Sequence, residues 1–298
     1  MSAGNTGVCW IDGAIVPASE ARVGVRDHGL LYGDGIFEGI RVRAGRVFRL
    51  GDHLARFAAG ARAIGLTLPH PLEQIHAIVL ATVRANGSRE AYVRLLATRG
   101  EGPLGVDPLP CGPPRLLCLA DTIALYAEEK RRLGIDLVTA SLRRPPADVL
   151  DPRVKSLNYL NNVLAKLEAR QRGADEALLL NTAGHVAEAA VANLFVVRGG
   201  ELATPPGTDG ALEGITRATV LDLAAALGIP ARERSLGRFD LFASEECFLT
   251  GSGAGLVAVR SLDGRAIGGG GPGPIFGKLV AAFADACVAL GTPVAGLA

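Results

Sequence analysis

Two side chains in this sequence could do covalent chemistry together: Lys155, which opens KSLNYLNN, and Glu188 in GHVAEAAVANLFVV. An amine ahead of a helical apolar pattern is either a solvated charge or a Schiff-base lysine, one that forms an imine with a carbonyl cofactor. Leu157, Leu160, Leu164 and Leu167 set that pattern at three- and four-residue steps and predict a helix just after Lys155. Tyr159 would then share the lysine's face of the helix. Glu188 suits the complementary task of an acid that keeps a pyridine nitrogen protonated, so that the ring can draw electrons from a bound substrate.

Two further segments could hold an anion. In ALEGITRATV, Gly214 permits close backbone approach, Thr216 can cap the following helix, and the amides of Ile215 and Thr216 are placed for a phosphate. An ordinary capped helix accounts for the same residues. The TGSGAG turn at 250–255 either converges amides on an anion, with Ser252 adding a hydroxyl, or simply joins two strands. Arg56 in HLARF reads by itself as a surface charge. Gly33, Gly35 and Gly39 are spaced GxGxxxG rather than GxGxxG, and no buried strand precedes them. A nicotinamide dinucleotide site is therefore not supported.

These residues need elements to position them. A helix is predicted over 51–65, GDHLARFAAGARAIG, with Asp52 as N-cap and Gly65 as terminator, and a second through HPLEQIHAIVLATVRANG. Strand-like runs are VCWIDGAIV, GRVFRL, AYVRLLATRG, PRLLCLA, IDLVTASLRR, EALLLN, NLFVVRGGELATP, ECFLT and LVAVRSLDG, with a hairpin around Asn181–Gly184. Helices are predicted in TRATVLDLAAALG and near the C-terminus. Irregular alternation argues against a doubly wound parallel sheet and predicts an α+β fold of two domains with mixed sheets. Residues 1–122 form a small N-terminal α/β domain in this reading, 123–134 an inter-domain loop, and 135–298 a larger C-terminal domain.

Composition narrows the function classes. The 298 residues, 49% hydrophobic, suffice for two cores, yet no apolar run reaches membrane-spanning length. The opening MSAGNTGVCWIDG lacks the basic flank and apolar stretch of a secretory signal. A net charge of +1 with dispersed basic residues argues against a nucleic-acid partner. Five cysteines without a CxxC pair and five widely spaced histidines predict a cytoplasmic protein with no metal.

Six segments, DHGLLYGDGIFEGIRV, FRLGDHLARF, KSLNYLNN, ALEGITRATV, FLTGSGAG and VRSLDGRAIG, resemble in order and spacing the fold-type IV family of pyridoxal-phosphate enzymes. The resemblance covers nearly the whole chain. The family contains branched-chain amino acid transaminases, D-amino acid transaminases, (R)-amine transaminases and aminodeoxychorismate lyases. It implies a two-domain fold-type IV fold whose C-terminal domain binds pyridoxal 5'-phosphate, with Lys155 as the catalytic lysine and Glu188 on the pyridine nitrogen. The phosphate would fall to Arg56, Ile215, Thr216 and Ser252, the phenolic oxygen to Tyr159, and Asn193 matches a family asparagine. Tyr32, Phe37, Glu38 and Arg41 match pocket-side positions. A homodimer is also implied, because family active sites borrow residues from the neighbouring subunit.

Within the family, Tyr92 and Arg94 match the tyrosine-x-arginine pair of branched-chain transaminases, which binds the side-chain carboxylate of glutamate or 2-oxoglutarate. Tyr126 matches a substrate-facing tyrosine, and Gly253 and Ala254 lie in the carboxylate-binding turn. The implied reaction is ping-pong amino transfer between an apolar branched-chain L-amino acid and 2-oxoglutarate. The alternatives are a D-amino acid or (R)-amine transaminase, an aminodeoxychorismate lyase, and a non-catalytic family member. EGPLG stands after TRG, where D-amino acid enzymes carry arginine-x-histidine, and the lyase-type glycine-arginine-glycine run is absent. Two departures bear on substrate range: EAAVAN replaces EGxGxN, which puts the side chains of Ala189 and Val191 close to the cofactor, and GSGAG replaces GTAAE.

Overall fold

Strands that bury alternate side chains build one antiparallel sheet mainly from residues 8–121 in the computed structural model, which describes residues 7–298. Residues 1–6, the start of the stretch read above for a secretory signal, lie outside the described residues. The strands are β1 (Val8–Ile11), β2 (Ala14–Pro17), β3 (Gly35–Arg43), β4 (Arg46–Phe48), β5 (Ala91–Thr98) and β6 (Arg115–Asp121), with Gly291–Pro293 closing the sheet beside β4. Side chains alternate between faces along a strand. Ile36, Ile40 and Val42 of β3 therefore join Val93, Leu95 and Ala97 of β5 in one core. After the short helix α1 (His28–Tyr32), helices α2 (Leu50–Ala63) and α3 (Leu72–Asn86) supply Leu54, Phe57, Ile75, Val79 and Val83 to that core.

The other face of β3 and β5 carries Phe37, Arg41, Tyr92 and Arg94, which the resemblance places on the substrate side. Arg41 lies opposite Tyr92, and Gly39 opposite Arg94. A Cβ on Gly39 would collide with the Tyr92 hydroxyl, so glycine is what lets the phenol lie across the strand. Helix α2 starts differently from the prediction. Arg49, in the left-handed conformation, holds the N-cap position, and Asp52 sits in the first turn accepting from Arg49 Nε at 2.6 Å. An acid inside the first turn still complements the positive helix end.

The chain divides into two compact units, and the division is not linear. The first unit takes the residues up to Ile123, then Val154–Asn158 and Ala286–Ala298; the second takes Ala124–Arg153 and Tyr159–Asp285. Part of the segment expected as a loop, 123–134, is helix α4 (Glu128–Leu133), with Glu128 and Glu129 in its first turn and Arg131 and Arg132 in its last.

The second unit holds a mixed sheet. Its strands are β7 (Ile135–Arg143), β8 (Glu176–Leu180), β9 (Val186–Ala189), β10 (Asn193–Arg198), β11 (Glu201–Thr204), β12 (Ala231–Glu233), β13 (Glu246–Gly251), β14 (Gly255–Leu262) and β15 (Arg265–Ala266). The order is β12-β11-β10-β13-β14-β7-β8-β9, with β15 on β14. Pairs β11–β12, β14–β7 and β7–β8 are parallel and the others antiparallel. Its helices include α5 (Ala147–Leu150), α6 (Leu160–Gln171) and α7 (Ile215–Ala226). The leucine pattern that predicts α6 does not mark its buried face. Leu160, Val163, Leu164 and Leu167 are exposed, whereas Asn162, Ala165 and Ala169 are buried. Small residues let the helix backbone lie close on β7 and β8.

No helix among the described residues is long and apolar enough to cross a membrane. No group of three or more histidines, cysteines, aspartates or glutamates among them could hold a metal ion.

Candidate active site

Lys155 does not lead into a helix. The Phe37 amide donates to the Lys155 carbonyl and the Leu157 amide to the Gly35 carbonyl, each at 2.9 Å, and Ser156 bridges Ile36. The segment is an extra extended strip on the edge of β3, which β4 covers only at Val42 and Arg43. Unpaired strand edges offer backbone hydrogen bonds that outweigh local helical preference. Gly35 makes room, since a Cβ there would come within 2.7 Å of Leu157 Cδ1. Helix α6 begins only at Leu160, with Tyr159 as its N-cap. Tyr159 and Lys155 therefore share no helical face, which corrects the expectation drawn from their spacing.

The strip sets Lys155 beside Phe37. Lys155 Nζ lies 4.6 Å from the Phe37 ring centroid, and the Arg94 guanidinium carbon lies 4.5 Å from the same centroid. Arg94 also stands 5.7 Å from the Tyr92 ring centroid. It makes no ion pair among the described residues. Tyr32, at the end of α1, accepts from the Gly105 amide at 2.8 Å and meets His28 edge-on.

Glu38 points to the helix-covered face and is fully buried. It accepts from Arg56 Nε at 2.8 Å, Arg56 Nη2 at 2.7 Å and His53 Nδ1 at 2.7 Å. Burial alone would raise its pKa, but the Arg56 charge and the hydrogen bonds from His53 and Arg56 hold it at about 2. His53, buried, is pushed below its usual range mainly by desolvation. With Nδ1 donating to a carboxylate, its Nε2, which has no partner among the described residues, is the unprotonated nitrogen. Arg56, assigned to a phosphate by the resemblance, thus commits two nitrogens to Glu38 and leaves Nη1 as the one Glu38 does not use.

In the second unit the candidate acid and the candidate anion-binding elements are built around β9 and β10. Glu188 on β9 is buried, and its Oε2 accepts from Asn193 Nδ2 and the Leu212 amide, both at 3.1 Å. Arg144 Nη2 lies 2.8 Å from its Oε1. Helix α7 starts at Ile215 with Gly214 as N-cap, so the cap residue has no side chain to serve the first amides. A Cβ on Gly214 would collide with Asn193 Oδ1. Thr216 is in the first turn rather than at the cap, and its Oγ1 is buried without a partner among the described residues. Thr250 Oγ1 is equally orphaned among them, and Thr250 pairs directly with Asn193 between β10 and β13. Ser252, Gly253 and Ala254 form the turn that follows, where the Ala254 carbonyl accepts from Arg131 Nη1 at 2.9 Å.

The sequence from β3 to β14 matches the family described as Amino-transferase class IV over residues 35–262. The chain belongs to that family. A Methanocaldococcus jannaschii protein provisionally named a branched-chain-amino-acid aminotransferase is 45% identical over 276 residues, 93% of this chain and 95% of that one. The Thermoproteus uzoniensis branched-chain aminotransferase with norvaline superposes with a TM-score of 0.88 at 37% identity, covering 95% of each chain. A T.th. branched-chain amino acid aminotransferase complexed with N-(5'-phosphopyridoxyl)-L-glutamate gives 0.88 at 38% identity, again over 95% of each chain.

The residues of this aminotransferase fit a phosphorylated pyridine. Amides that the cap residue leaves unserved at a helix N-terminus, with an orphaned buried hydroxyl in the same turn, are what a phosphate requires. Tyr126 has another task than the one expected. Its ring lies in the core of the second unit, and its hydroxyl donates to Glu176 Oε2 at 3.0 Å. Ala189, one of the departures from the family pattern, turns into the same core, whereas Val191 is exposed. Arg144, His53 and Thr250 escaped the sequence reading, because each is defined by partners far along the chain and none by a local pattern.

Proposed function

We propose that this aminotransferase uses pyridoxal 5'-phosphate to move an amino group between a branched-chain L-amino acid and 2-oxoglutarate in two alternating half-reactions. One observation carries the reading. On one sheet face of the first unit, the Lys155 amine and the Arg94 guanidinium flank the Phe37 ring, and Arg94 has no acid of its own among the described residues. When bound, the cofactor supplies an aldehyde that condenses with amines and a ring that accepts the electron pair left at a substrate's Cα. Lys155 Nζ would take the Cα proton of the amino donor and pass it to the carbon that carried the cofactor's aldehyde, and would run the same transfer in reverse with the keto acid. Glu188 would hold the proton on the pyridine nitrogen. The amides of Ile215 and Thr216, the Thr216 and Ser252 hydroxyls and Arg56 would bind the phosphate, with Tyr159 and Asn193 also on the cofactor side.

Arg94 would pair with the second carboxylate of 2-oxoglutarate. A guanidinium stacked on aromatic rings is weakly hydrated and suited to a carboxylate fork. Phe37 and Tyr92 would give a branched apolar side chain the same place, with Tyr32, Arg41, Gly253 and Ala254 as further substrate-side candidates. The glutamate-derived ligand of the T.th. relative supports this choice of partner. A cytoplasmic homodimer completes the reading, and light scattering at assay concentration tests the dimer.

The deciding experiment is a half-reaction panel on the purified holoenzyme. Borohydride reduction should place a pyridoxyl label on the Lys155 peptide. L-leucine should convert the yellow form to the pyridoxamine form, and 2-oxoglutarate should reverse it. A label on Lys166 or Lys278, or conversion by D-alanine or (R)-phenylethylamine with none by L-leucine, would overturn the assignment.

A further inference from the structure

We propose that Arg144 positions Glu188 and keeps it ionised, and so sets the protonation of the cofactor's pyridine nitrogen; this rests on the pyridoxal-phosphate reading above. Arg144 follows directly after β7 and is buried. All three of its guanidinium nitrogens are in use. Nη2 meets Glu188 Oε1 at 2.8 Å, Nη1 donates to Asn162 Oδ1 at 3.0 Å, and Nε donates to the Gly210 carbonyl at 3.2 Å. Asn162 is itself oriented by donating to the Ala190 carbonyl at 2.6 Å. Two neutral acceptors thus aim the guanidinium, and one acid receives its charge.

The groups on Glu188 Oε2 are of a different kind. Asn193 Nδ2 and the Leu212 amide are neutral donors, and Asn193 is held in place by donating to the Leu212 carbonyl at 2.8 Å. They favour a carboxylate but bring no charge. A buried acid without a cation takes up a proton instead of staying ionised. A protonated Glu188 would bring no negative charge to balance a pyridinium and would donate its O–H to a neutral pyridine nitrogen instead. Arginine is the one side chain whose charge does not titrate at any working pH, and its planar fork can serve three acceptors at once. Lysine in its place would supply the charge without the threefold orientation.

The test is reconstitution of the apoenzymes of wild type, Arg144→Gln, Arg144→Lys and Asn162→Leu with pyridoxal 5'-phosphate carrying 15N in the ring. Affinity for the cofactor and the ring-nitrogen resonance are read alongside kcat and KM. Wild type should show a pyridinium. Arg144→Gln should show a neutral pyridine, about tenfold or greater loss of cofactor affinity, the size set by removing an opposite charge worth one or more pKa units, and a fall in kcat larger than the rise in KM. Arg144→Lys should recover the pyridinium resonance at reduced affinity, and Asn162→Leu should lose less than Arg144→Gln. A pyridinium and wild-type affinity in Arg144→Gln, or identical behaviour of the Gln and Lys variants, would overturn the proposal. If Arg144→Gln does not fold, wild-type resonance and affinity in both Arg144→Lys and Asn162→Leu overturn it equally. A wild-type protein that binds no cofactor would instead remove the reading beneath it.

Discussion

Replacing Glu38 with glutamine should cost the first unit about 3 kcal/mol at neutral pH. The carboxyl is held from its ordinary 4.5 down to about 2 by Arg56 and His53 against the opposing effect of burial, and each tenfold change in proton affinity is worth about 1.4 kcal/mol. Glutamine keeps the shape and one acceptor but removes the charge that Arg56 needs. Because the folded-state value is depressed, the contribution is complete above pH 4.5 and is lost as pH falls through about 2. The gap between wild type and variant should therefore shrink to roughly half or less near pH ~3. His53 is depressed as well, which costs stability as pH falls below 6.5; Glu38 offsets part of that depression, so the variant bears at least as much of this cost as wild type, and the shrinkage given is the contribution of the Glu38 charge alone. The chain's one tryptophan, Trp10, lies in β1 of the same sheet, so urea unfolding followed by its fluorescence reports on the right unit. A gap of the same size at pH 7 and pH ~3, or no gap at either, would show that packing and not charge holds this cluster.

Two further substitutions separate binding from folding. Arg94→Ala should lower kcat/KM for 2-oxoglutarate by about ten- to a hundredfold, the worth of a charge-assisted hydrogen-bonded pair, while leucine loses at most about threefold; equal losses for both substrates would remove Arg94 from carboxylate recognition. Thr216→Val deletes a buried hydroxyl that has no partner among the described residues, so the apoenzyme should be as stable as wild type or slightly more so, with weaker cofactor affinity. A destabilised apoenzyme with unchanged affinity, read by thermal melts and cofactor titration, would contradict that role.

Local pattern determined a good deal about this protein. The β-rich runs AYVRLLATRG and PRLLCLA specified strands β5 and β6, and the ordered motifs from YGDGIFEG to TGSGAG pointed to the class IV aminotransferases, the family to which the chain belongs. Those features are legible because they depend on neighbours two to four residues away. Lys155 was legible as a residue but not as a conformation. Its leucine-rich surroundings spell a helix, yet the backbone of Phe37, far along the chain, claims Lys155 for a strand edge. The same leucines mark a helix but not its buried face, which packing on β7 and β8 gives to Asn162, Ala165 and Ala169. Asp52 and Thr216 looked like helix caps because their side chains suit that task, but the path of the preceding chain placed Arg49 and Gly214 there instead. Arg144 on Glu188 and Arg56 on Glu38 are choices among many possible charge partners. No local spacing encodes such a choice; the fold makes it by burying particular charges together, where an unpaired one would be too costly.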